Sequence, residues 1–233
     1  MKRAEYIEKI LGIYSLVNML SRKNGCEVLR LRNKASGRDM VLRSFPVPLA
    51  AYKKLQSIKC MNLAEIYDVI EMDDGQIVLE EYIDGLTVAQ TMETDRYRTS
   101  GARRILFGVL DALTALHGMG IVHRDVKPEN VMIEKSGRVV LIDLNASRIE
   151  SSAVKDTVIL GTVGYASPEQ MGLSQSDARA DIYAVGVLYN VMLTGQHPSV
   201  SIAGGKAGRI VRKCTAINRH DRYRTAAELR AAL

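Results

Sequence analysis

The run from His123 to Asn130 contains three side-chain types that phosphoryl transfer uses. Lys127 follows Asp125 by two residues, and Asn130 follows it by five. A carboxylate accepts or orients a hydroxyl proton, an ammonium group meets the moving phosphoryl group, and an amide oxygen binds a metal ion. The alternative is a polar turn between a helix and a strand. A chance match at every position is improbable, so the spacing predicts a phosphoryl-transfer site.

A second acidic residue, Asp143, follows the apolar pair Leu141-Ile142, which is typical of a strand end. The carboxylate of Asp143 and the amide oxygen of Asn130 are oxygen ligands, which Mg²⁺ prefers. The alternative for Asp143 is an acid that caps a strand. We therefore predict a metal site formed by Asn130 and Asp143.

The elements that carry these residues are predicted from hydrophobic periodicity and turn residues. Before Asp84 the pattern predicts a small antiparallel sheet with one or two helices. The segment from Tyr6 to Leu20 has helical spacing, but its C-terminal part equally fits a first strand. The other predicted strands are Cys26–Arg32, Asp39–Ser44, Leu63–Met72 and Gln76–Tyr82, and the other helix is Leu49–Ile58.

After Asp84-Gly85 the pattern becomes helical. An apolar stripe from Ile105 to Leu116 predicts a helix that stops at the glycines that follow. The run from Ile182 to Leu193 is apolar on nearly all sides, which is typical of a buried central helix. Short strands are predicted at Val131–Ile133 and Val139–Ile142, a helix start at Ser167-Pro168, and a last helix after the capping box Thr225–Glu228.

Composition restricts the classes of protein that fit. The chain has 233 residues, 47% of them hydrophobic, and a net charge of +6 without a basic block. That distribution argues against a nucleic-acid partner. Three well-separated cysteines without metal spacing, no signal peptide and no apolar run long enough for a membrane span indicate a cytoplasmic protein.

Three motifs together resemble those of the eukaryotic-type Ser/Thr protein kinases. The run His123–Asn130 resembles their catalytic loop, and the Lys after the Asp points to the Ser/Thr branch. The element Asp143-Leu144-Asn145 resembles Asp-Phe-Gly, with Asn145 as a residue that tolerates the left-handed backbone region. The segment Gly161–Glu169 resembles the end of an activation segment. The resemblance covers essentially the whole chain and is weak before Val78.

The resemblance implies an α+β, bilobal fold. Residues 1–84 would form a β-rich N-lobe that covers the nucleotide, and residues 85–233 a helical C-lobe. The segment from Pro198 to Arg222 is too short for the full set of C-lobe helices, so we expect a shortened C-terminal helical region without the helix often used for substrate docking.

The resemblance also assigns roles to residues of the C-lobe. Asp125, Lys127, Asn130 and Thr162 would be catalytic, with the Thr162 hydroxyl contacting Asp125 and Lys127, and Asn130 and Asp143 would bind Mg²⁺. Glu169 would form a buried structural ion pair with Arg222. Asp181 would hold the backbone of the catalytic loop, or alternatively favour the helix start through the helix dipole.

For the nucleotide, Val78–Gly85 resembles the last N-lobe strand and hinge, with Glu80 in the gatekeeper position. Backbone groups of Glu81 and Ile83 would bond adenine. The ring would lie between Val28, Val41 and Met132, for which simple core packing is the alternative.

The phosphate grip departs from the family pattern. Ser21, Lys23 and Cys26 stand at the three glycine positions of the phosphate-covering loop. Arg43 replaces the strand lysine, and Ala51 replaces the helix acid that would position it. We expect Arg43 first, or otherwise Lys23, to supply the missing charge, although Lys23 also fits a solvated turn.

These features give three hypotheses. The first is a Ser/Thr protein kinase that uses ATP and Mg²⁺ to phosphorylate a protein hydroxyl with an altered phosphate grip. The second is a pseudokinase, a nucleotide-binding or scaffold module. The third, a small-molecule phosphotransferase, is disfavoured by Lys127, Thr162 and the Ser-Pro-Glu element. Loop hydroxyls at Ser151, Ser152 and Thr157 are candidate phosphosites, with Arg124 as their charge partner.

Overall fold

The computed structural model describes residues 1–149, 162, 164–171 and 176–233. The chain divides into two compact units. The small unit comprises Met1–Cys60 and Ala64–Ile83, and the large unit comprises Met61–Leu63 and Asp84–Leu233. The assignment of a nucleotide-covering lobe to residues 1–84 and a catalytic lobe to residues 85–233 stays a prediction.

The small unit is an antiparallel sheet with two helices. Its five strands are ordered β1-β2-β3-β5-β4 across the sheet. They are β1 (Tyr14–Lys23), β2 (Cys26–Asn33), β3 (Asp39–Phe45), β4 (Ile66–Met72) and β5 (Gly75–Glu81), and the helices are α1 (Arg3–Ile10) and α2 (Ala50–Leu55). The ambiguous N-terminal segment is therefore helix first and strand afterwards. The predicted second helix is shorter at both ends.

The two faces of this sheet have different side chains because successive residues of a strand point to opposite sides. One face buries Leu29, Leu31, Leu42 and Ile77 against Ile10 of α1. The other face carries side chains of the alternate register, including Val28, Val41, Arg43 and Glu80. Helix α1 thus covers the face that does not carry the predicted nucleotide residues.

In the described residues of the large unit, helices are the main secondary structure. Its long helices are α4 (Thr99–Gly118) and α5 (Ala178–Thr194), and its other helices are α3 (Val88–Thr91), α6 (Gly205–Cys214) and α7 (Ala226–Ala232). Its short strands are β6 (Gly85–Thr87), β7 (Ile121–Val122), β8 (Val131–Glu134), β9 (Val139–Leu141) and β10 (Arg148–Ile149). The sheets are β6-β8-β9 and β10-β7. The predicted α+β class, β-rich first and helical afterwards, is confirmed.

Helix α5 is the buried centre of the large unit, as its apolar sequence predicts. Gly186 allows α6 to approach it, because a Cβ at that position would lie 2.3 Å from the Cβ of Cys214. Between Pro198 and Arg222 the chain forms α6 and the short 3₁₀ turn Arg219–Asp221. The predicted shortening of this region is confirmed.

The helix start predicted at Ser167 is a single 3₁₀ turn, Pro168–Met171, in the described residues. The side-chain oxygen of Gln170 accepts hydrogen bonds from the Ser167 N–H and hydroxyl, both at 3.1 Å. The Gln170 side chain therefore caps the turn as predicted, whereas the Gln170 N–H donates to the Ser167 carbonyl and not to its hydroxyl. The described part of the element is a 3₁₀ turn.

Candidate active site

The predicted catalytic loop, His123–Asn130, connects the end of β7 to the start of β8. It leaves the buried strand Ile121–Val122 and ends in the 3₁₀ turn Pro128–Asn130. Proline suits the first position of such a turn, because its missing N–H is not needed there and its φ is already fixed. The loop is therefore held at both ends by short strands of the large unit.

The carboxylate of Asp125 accepts hydrogen bonds from three side chains. Its Oδ2 accepts from Lys127 Nζ at 2.7 Å and from Asn130 Nδ2 at 2.9 Å. Its Oδ1 accepts from the Thr162 hydroxyl at 2.7 Å, and Lys127 Nζ also donates to that hydroxyl oxygen at 2.6 Å. The predicted contacts of Thr162 are present, and the four residues predicted as catalytic lie together.

The Asp125 carboxylate is stabilised in its charged form. Burial alone would raise the pKa of Asp125, but hydrogen bonds from Lys127, Thr162 and Asn130 outweigh it and lower the pKa below its ordinary value. The side chain is consequently an ionised hydrogen-bond acceptor at neutral pH.

Asp181, at the start of α5, holds the backbone of the loop. Its carboxylate accepts from the N–H groups of His123 at 2.9 Å and Arg124 at 2.7 Å, and contacts His117 Nε2 at 2.8 Å. The residue is fully buried. Burial would raise the pKa of Asp181, but the contact with His117 and the backbone donors lower it. The predicted backbone-holding role is confirmed.

Two residues of the site have a left-handed backbone, Arg124 with φ of 69° and Asp143 with φ of 67°. This conformation costs a non-glycine residue energy and is concentrated at functional sites. We expected Asn145 to tolerate this conformation in place of the family glycine. That expectation is wrong: the left-handed residue is Asp143, and Asn145 instead donates its N–H to Asp143 Oδ1 at 3.2 Å.

The strand end that carries Asp143 is tied to the catalytic loop. The N–H of Ile142 donates to the carbonyl of Asn130 at 2.9 Å. The carbonyl of Ile142 is 3.1 Å from His123 Nε2. These contacts bring the two predicted metal ligands, Asn130 and Asp143, to neighbouring backbone positions.

The donor set fits Mg²⁺. Both hydrogen bonds given by the Asn130 side chain use Nδ2, so Oδ1 is the amide atom suited to a metal. The described residues contain no cluster of three or more His, Cys, Asp or Glu side chains that could hold a metal. A hard cation here would therefore complete its shell with phosphate oxygens and water, which is usual for Mg²⁺.

Gln170 is a residue whose role sequence reasoning missed. Its Nε2 donates to the carbonyl of Arg124 at 2.8 Å, while its Oε1 accepts from Ser167. The side chain is buried. The capping pattern indicated only the local contact with Ser167, so no sequence signal pointed to Arg124.

The predicted ion pair between Glu169 and Arg222 is confirmed. Arg222 donates to both carboxylate oxygens, at 2.7 and 3.0 Å, and both side chains are buried. Burial would raise the pKa of Glu169, but the bonds from Arg222 lower it. Arg222 also donates to the carbonyls of Ala216, Ile217 and Arg179.

In the small unit, Arg43 has a partner that the sequence did not reveal. Its Nε donates to Glu80 Oε1 at 2.6 Å, and the two residues are 7% and 5% exposed. Val28 pairs with Arg43 across β2 and β3, and Val41 pairs with Glu80 across β3 and β5. Three predicted nucleotide residues, Val28, Val41 and Arg43, therefore share one patch of the sheet.

The other predicted nucleotide residues include Glu81 and Ile83 of the small unit and Met132 of the large unit. The N–H of Glu81 donates to the Glu65 carbonyl at 2.9 Å, so a contact with adenine would use the carbonyl of Glu81. Ile83 is buried at the end of the small unit, and Met132 lies on β8 of the large unit. The adenine sandwich therefore stays a prediction.

Lys23 is exposed at the end of β1. It precedes the turn Asn24-Gly25, in which both residues have positive φ, 52° and 75°. This is the geometry of a tight two-residue hairpin, for which Asn-Gly is strongly preferred. The structure gives Lys23 no role beyond the hairpin, so its phosphate role also stays a prediction. The candidate phosphosites Ser151, Ser152 and Thr157 lie outside the described residues.

An antiparallel β-rich unit, a helical unit and an Asp–Lys–Asn loop with an adjacent strand-end Asp define a protein of the kinase class. The family model described as "Protein kinase domain" matches residues 47–230. The chain therefore belongs to the protein kinase domain family.

The relatives in this family are bacterial proteins named as serine/threonine kinases. The probable serine/threonine-protein kinase PknB of Lactococcus lactis is 32% identical over 72% of this chain and 27% of its own length. The probable serine/threonine-protein kinase SCO3848 of Streptomyces coelicolor is 31% identical over 81% of this chain and 31% of its own length. The serine/threonine-protein kinase PknB of Mycolicibacterium smegmatis is 29% identical over 94% of this chain and 42% of its own length.

The chain thus spans between 27% and 42% of the length of these relatives. Within the part of the chain that the structure describes, no helix is both long and apolar enough to cross a membrane.

Proposed function

We propose that this chain is an ATP-dependent serine/threonine protein kinase that transfers the γ-phosphate of ATP to a hydroxyl of a protein substrate. The observation that carries the proposal is the Asp125 carboxylate, held by Lys127, Asn130 and Thr162 within 2.9 Å. Phosphoryl transfer depends mainly on positioning and electrostatics, and this constellation supplies both.

Asp125 has a specific oxygen for the substrate. A carboxylate has about four acceptor sites, two on each oxygen. Oδ2 already accepts from Lys127 and Asn130, whereas Oδ1 accepts from Thr162. We assign Oδ1 as the atom that orients the attacking hydroxyl and takes up its proton. Lys127 adds positive charge beside the transferring group.

Asn130 and Asp143 are the residues that would hold Mg²⁺. When bound, the ion neutralises charge that develops between the β- and γ-phosphates. Arg43, with Lys23 as second candidate, is assigned to the phosphates. The carbonyl of Glu81 and the N–H of Ile83 are assigned to adenine, and Val28, Val41 and Met132 to the faces of its ring.

One observation favours the pseudokinase alternative. Arg43, the proposed phosphate cation, is buried in an ion pair with Glu80. If the ion pair serves only to stabilise the sheet, Arg43 does not bind the nucleotide phosphates. The chain would then act as a scaffold. The intact Asp125 constellation disfavours this alternative. A cytoplasmic location and the absence of a nucleic-acid partner stay predictions.

The test is phosphate transfer from labelled Mg-ATP to a mixture of Ser- and Thr-containing peptides, compared between wild type and Asp125→Asn. Removal of a positioned base should slow transfer by about 10²–10⁴. ATP affinity should change little, because Asp125 is assigned to the hydroxyl. Wild-type turnover in the variant would refute the assignment of Asp125. Nucleotide binding without any transfer by wild type would favour the pseudokinase.

A further inference from the structure

We propose that Glu80 is the positioning residue for the phosphate cation Arg43, and that it takes over this role from the helix carboxylate that the chain lacks. The proposal rests on the proposed function to the extent that a nucleotide must bind. It adds that the phosphate grip is set within the sheet and does not depend on where helix α2 lies.

Strand register brings the two residues together. Strands β3 and β5 pair antiparallel, with Val41 opposite Glu80 and Arg43 opposite Val78. Arg43 and Glu80 are therefore diagonal neighbours on the same face, a separation that long side chains bridge. The bond from Arg43 Nε to Glu80 Oε1 closes this diagonal at 2.6 Å.

Burial makes the pair a fixed feature. Arg43 is 7% exposed and Glu80 5% exposed. Loss of one partner from a buried pair leaves the other charge without compensation, which is strongly unfavourable. The guanidinium plane is consequently held before any ligand arrives. A guanidinium has five N–H donors, and the contact with Glu80 uses the one on Nε.

Helix α2 cannot provide this anchor. Its sequence from Ala50 to Leu55 contains no acid, and its two charged residues, Lys53 and Lys54, are cations. The position expected for the acid is Ala51, which is buried. No carboxylate occurs between Asp39 and Glu65.

This arrangement changes which element controls the position of the cation that binds the nucleotide phosphates. In protein kinases the pair between the strand lysine and the helix glutamate must be formed, and the helix position controls it. Here both partners belong to adjacent strands of one sheet. Nucleotide phosphates should therefore be bound equally well whether or not α2 is well docked.

The experiment is calorimetric titration of the whole chain with Mg-ATP and with adenosine. Glu80→Gln removes the carboxylate charge and keeps the shape. It should weaken ATP binding about tenfold or more, the range for a charged hydrogen bond. Adenosine affinity should stay within about twofold, because adenosine lacks phosphates. The matched control is Glu71→Gln, which breaks the exposed pair with Lys53 in the same unit and should leave both affinities unchanged.

A double variant with exchanged charges controls for the possibility that a single variant loses ATP binding because it misfolds. The double variant Arg43→Glu with Glu80→Arg restores an ion pair but moves the cation to β5. It should recover melting temperature relative to either single variant, yet should not recover ATP affinity. A structural role for the pair would recover both.

Three results would overturn the proposal. Equal losses for ATP and adenosine in Glu80→Gln would mean that the pair only stabilises the sheet. Stronger ATP binding in that variant would mean that Glu80 merely neutralises Arg43. A selective loss of ATP affinity together with no phosphate transfer by wild type would support the positioning role and refute the kinase activity. If wild type bound no ATP at all, both proposals would fail.

Discussion

The side-chain amide of Gln170 connects two segments of the active site by donating to the carbonyl of Arg124 at 2.8 Å. Arg124 has a left-handed backbone and directly precedes Asp125. Gln170 also accepts from the N–H and hydroxyl of Ser167, so one buried amide fixes the loop that carries Asp125 to the segment that begins at Ser167.

Replacement of Gln170 should uncouple these segments. Gln170→Glu keeps the acceptor for Ser167 but places an oxygen against the Arg124 carbonyl. We expect kcat for peptide phosphorylation to fall about tenfold, as loss of a buried hydrogen bond of 1–2 kcal/mol implies. The dissociation constant of ATP should be unchanged. Ser167→Ala is the control, since it removes one hydroxyl and keeps the backbone bond. A change in ATP affinity equal to the change in kcat would indicate a general structural role.

Replacement of Thr162 should shift the pH profile of transfer. Thr162→Val removes the donor to Asp125 and keeps the side-chain shape. The pKa of Asp125 is lowered in the folded protein partly by this donor, so its removal should raise that pKa. Since activity needs the ionised carboxylate, the acidic limb of the kcat/KM profile should move to higher pH. Thr162→Ser should restore the wild-type profile. If the acidic limb of the kcat/KM profile did not move in Thr162→Val, the Thr162 hydroxyl would not be what lowers the pKa of Asp125.

Replacement of Asp143 should remove the metal dependence of nucleotide binding. Asp143→Ala deletes one of two proposed oxygen ligands for Mg²⁺. Titrations with ATP in the presence and absence of Mg²⁺ should then give the same affinity, whereas wild type should bind ATP more tightly with the ion. Asp111→Ala is the matched control, because it removes a partly exposed acid of the same unit that pairs with Arg230. Mg-ATP affinity equal to that of wild type in Asp143→Ala would make Asp143 a structural residue only.

Loss of the Glu169–Arg222 pair should strongly destabilise the large unit. Glu169→Ala leaves Arg222 buried without its carboxylate, and loss of one partner from a buried pair costs about 3–5 kcal/mol. The free energy of unfolding from urea titrations should fall by that amount. The exposed pair Lys135–Asp84 provides the comparison, since breaking a surface pair costs about 0–1 kcal/mol. Glu169→Ala should therefore lower the free energy of unfolding more than Asp84→Ala does. Equal losses in the two variants would contradict this ranking.

Asp181 should make the stability of the protein sensitive to acid. Its pKa is lowered in the folded state, so its contribution is fully present above the ordinary Asp value of about 4 and is lost as pH falls toward the lower folded value. Wild type should therefore lose melting temperature below that pH. Asp181→Asn should be less stable than wild type at neutral pH, and the difference should shrink as the pH is lowered. A constant difference across the acid range would show that ionisation of Asp181 is not involved.

Features whose interacting residues lie within a short stretch of chain could be predicted from the amino-acid sequence. The run His123–Asn130 shows its chemistry because three functional side chains are separated by fixed short spacings. Strands and helices follow from local periodicity, and their type was predictable for most of the chain. The segment Tyr6–Leu20 was ambiguous because its apolar residues fit both periods, and packing of α1 against Leu29 and Leu42 resolves it.

Contacts between side chains that are distant in sequence could not be predicted, because they depend on how the chain folds. Arg43 and Glu80 are 37 positions apart, and their contact depends on the antiparallel register of β3 and β5. Gln170 and Arg124 are 46 positions apart and meet because of how two loops pack. A shift of one residue in the register of β3 and β5 would turn one of the two side chains to the opposite face. The partner of a buried charge is therefore set by many non-local contacts together and not by neighbours in sequence.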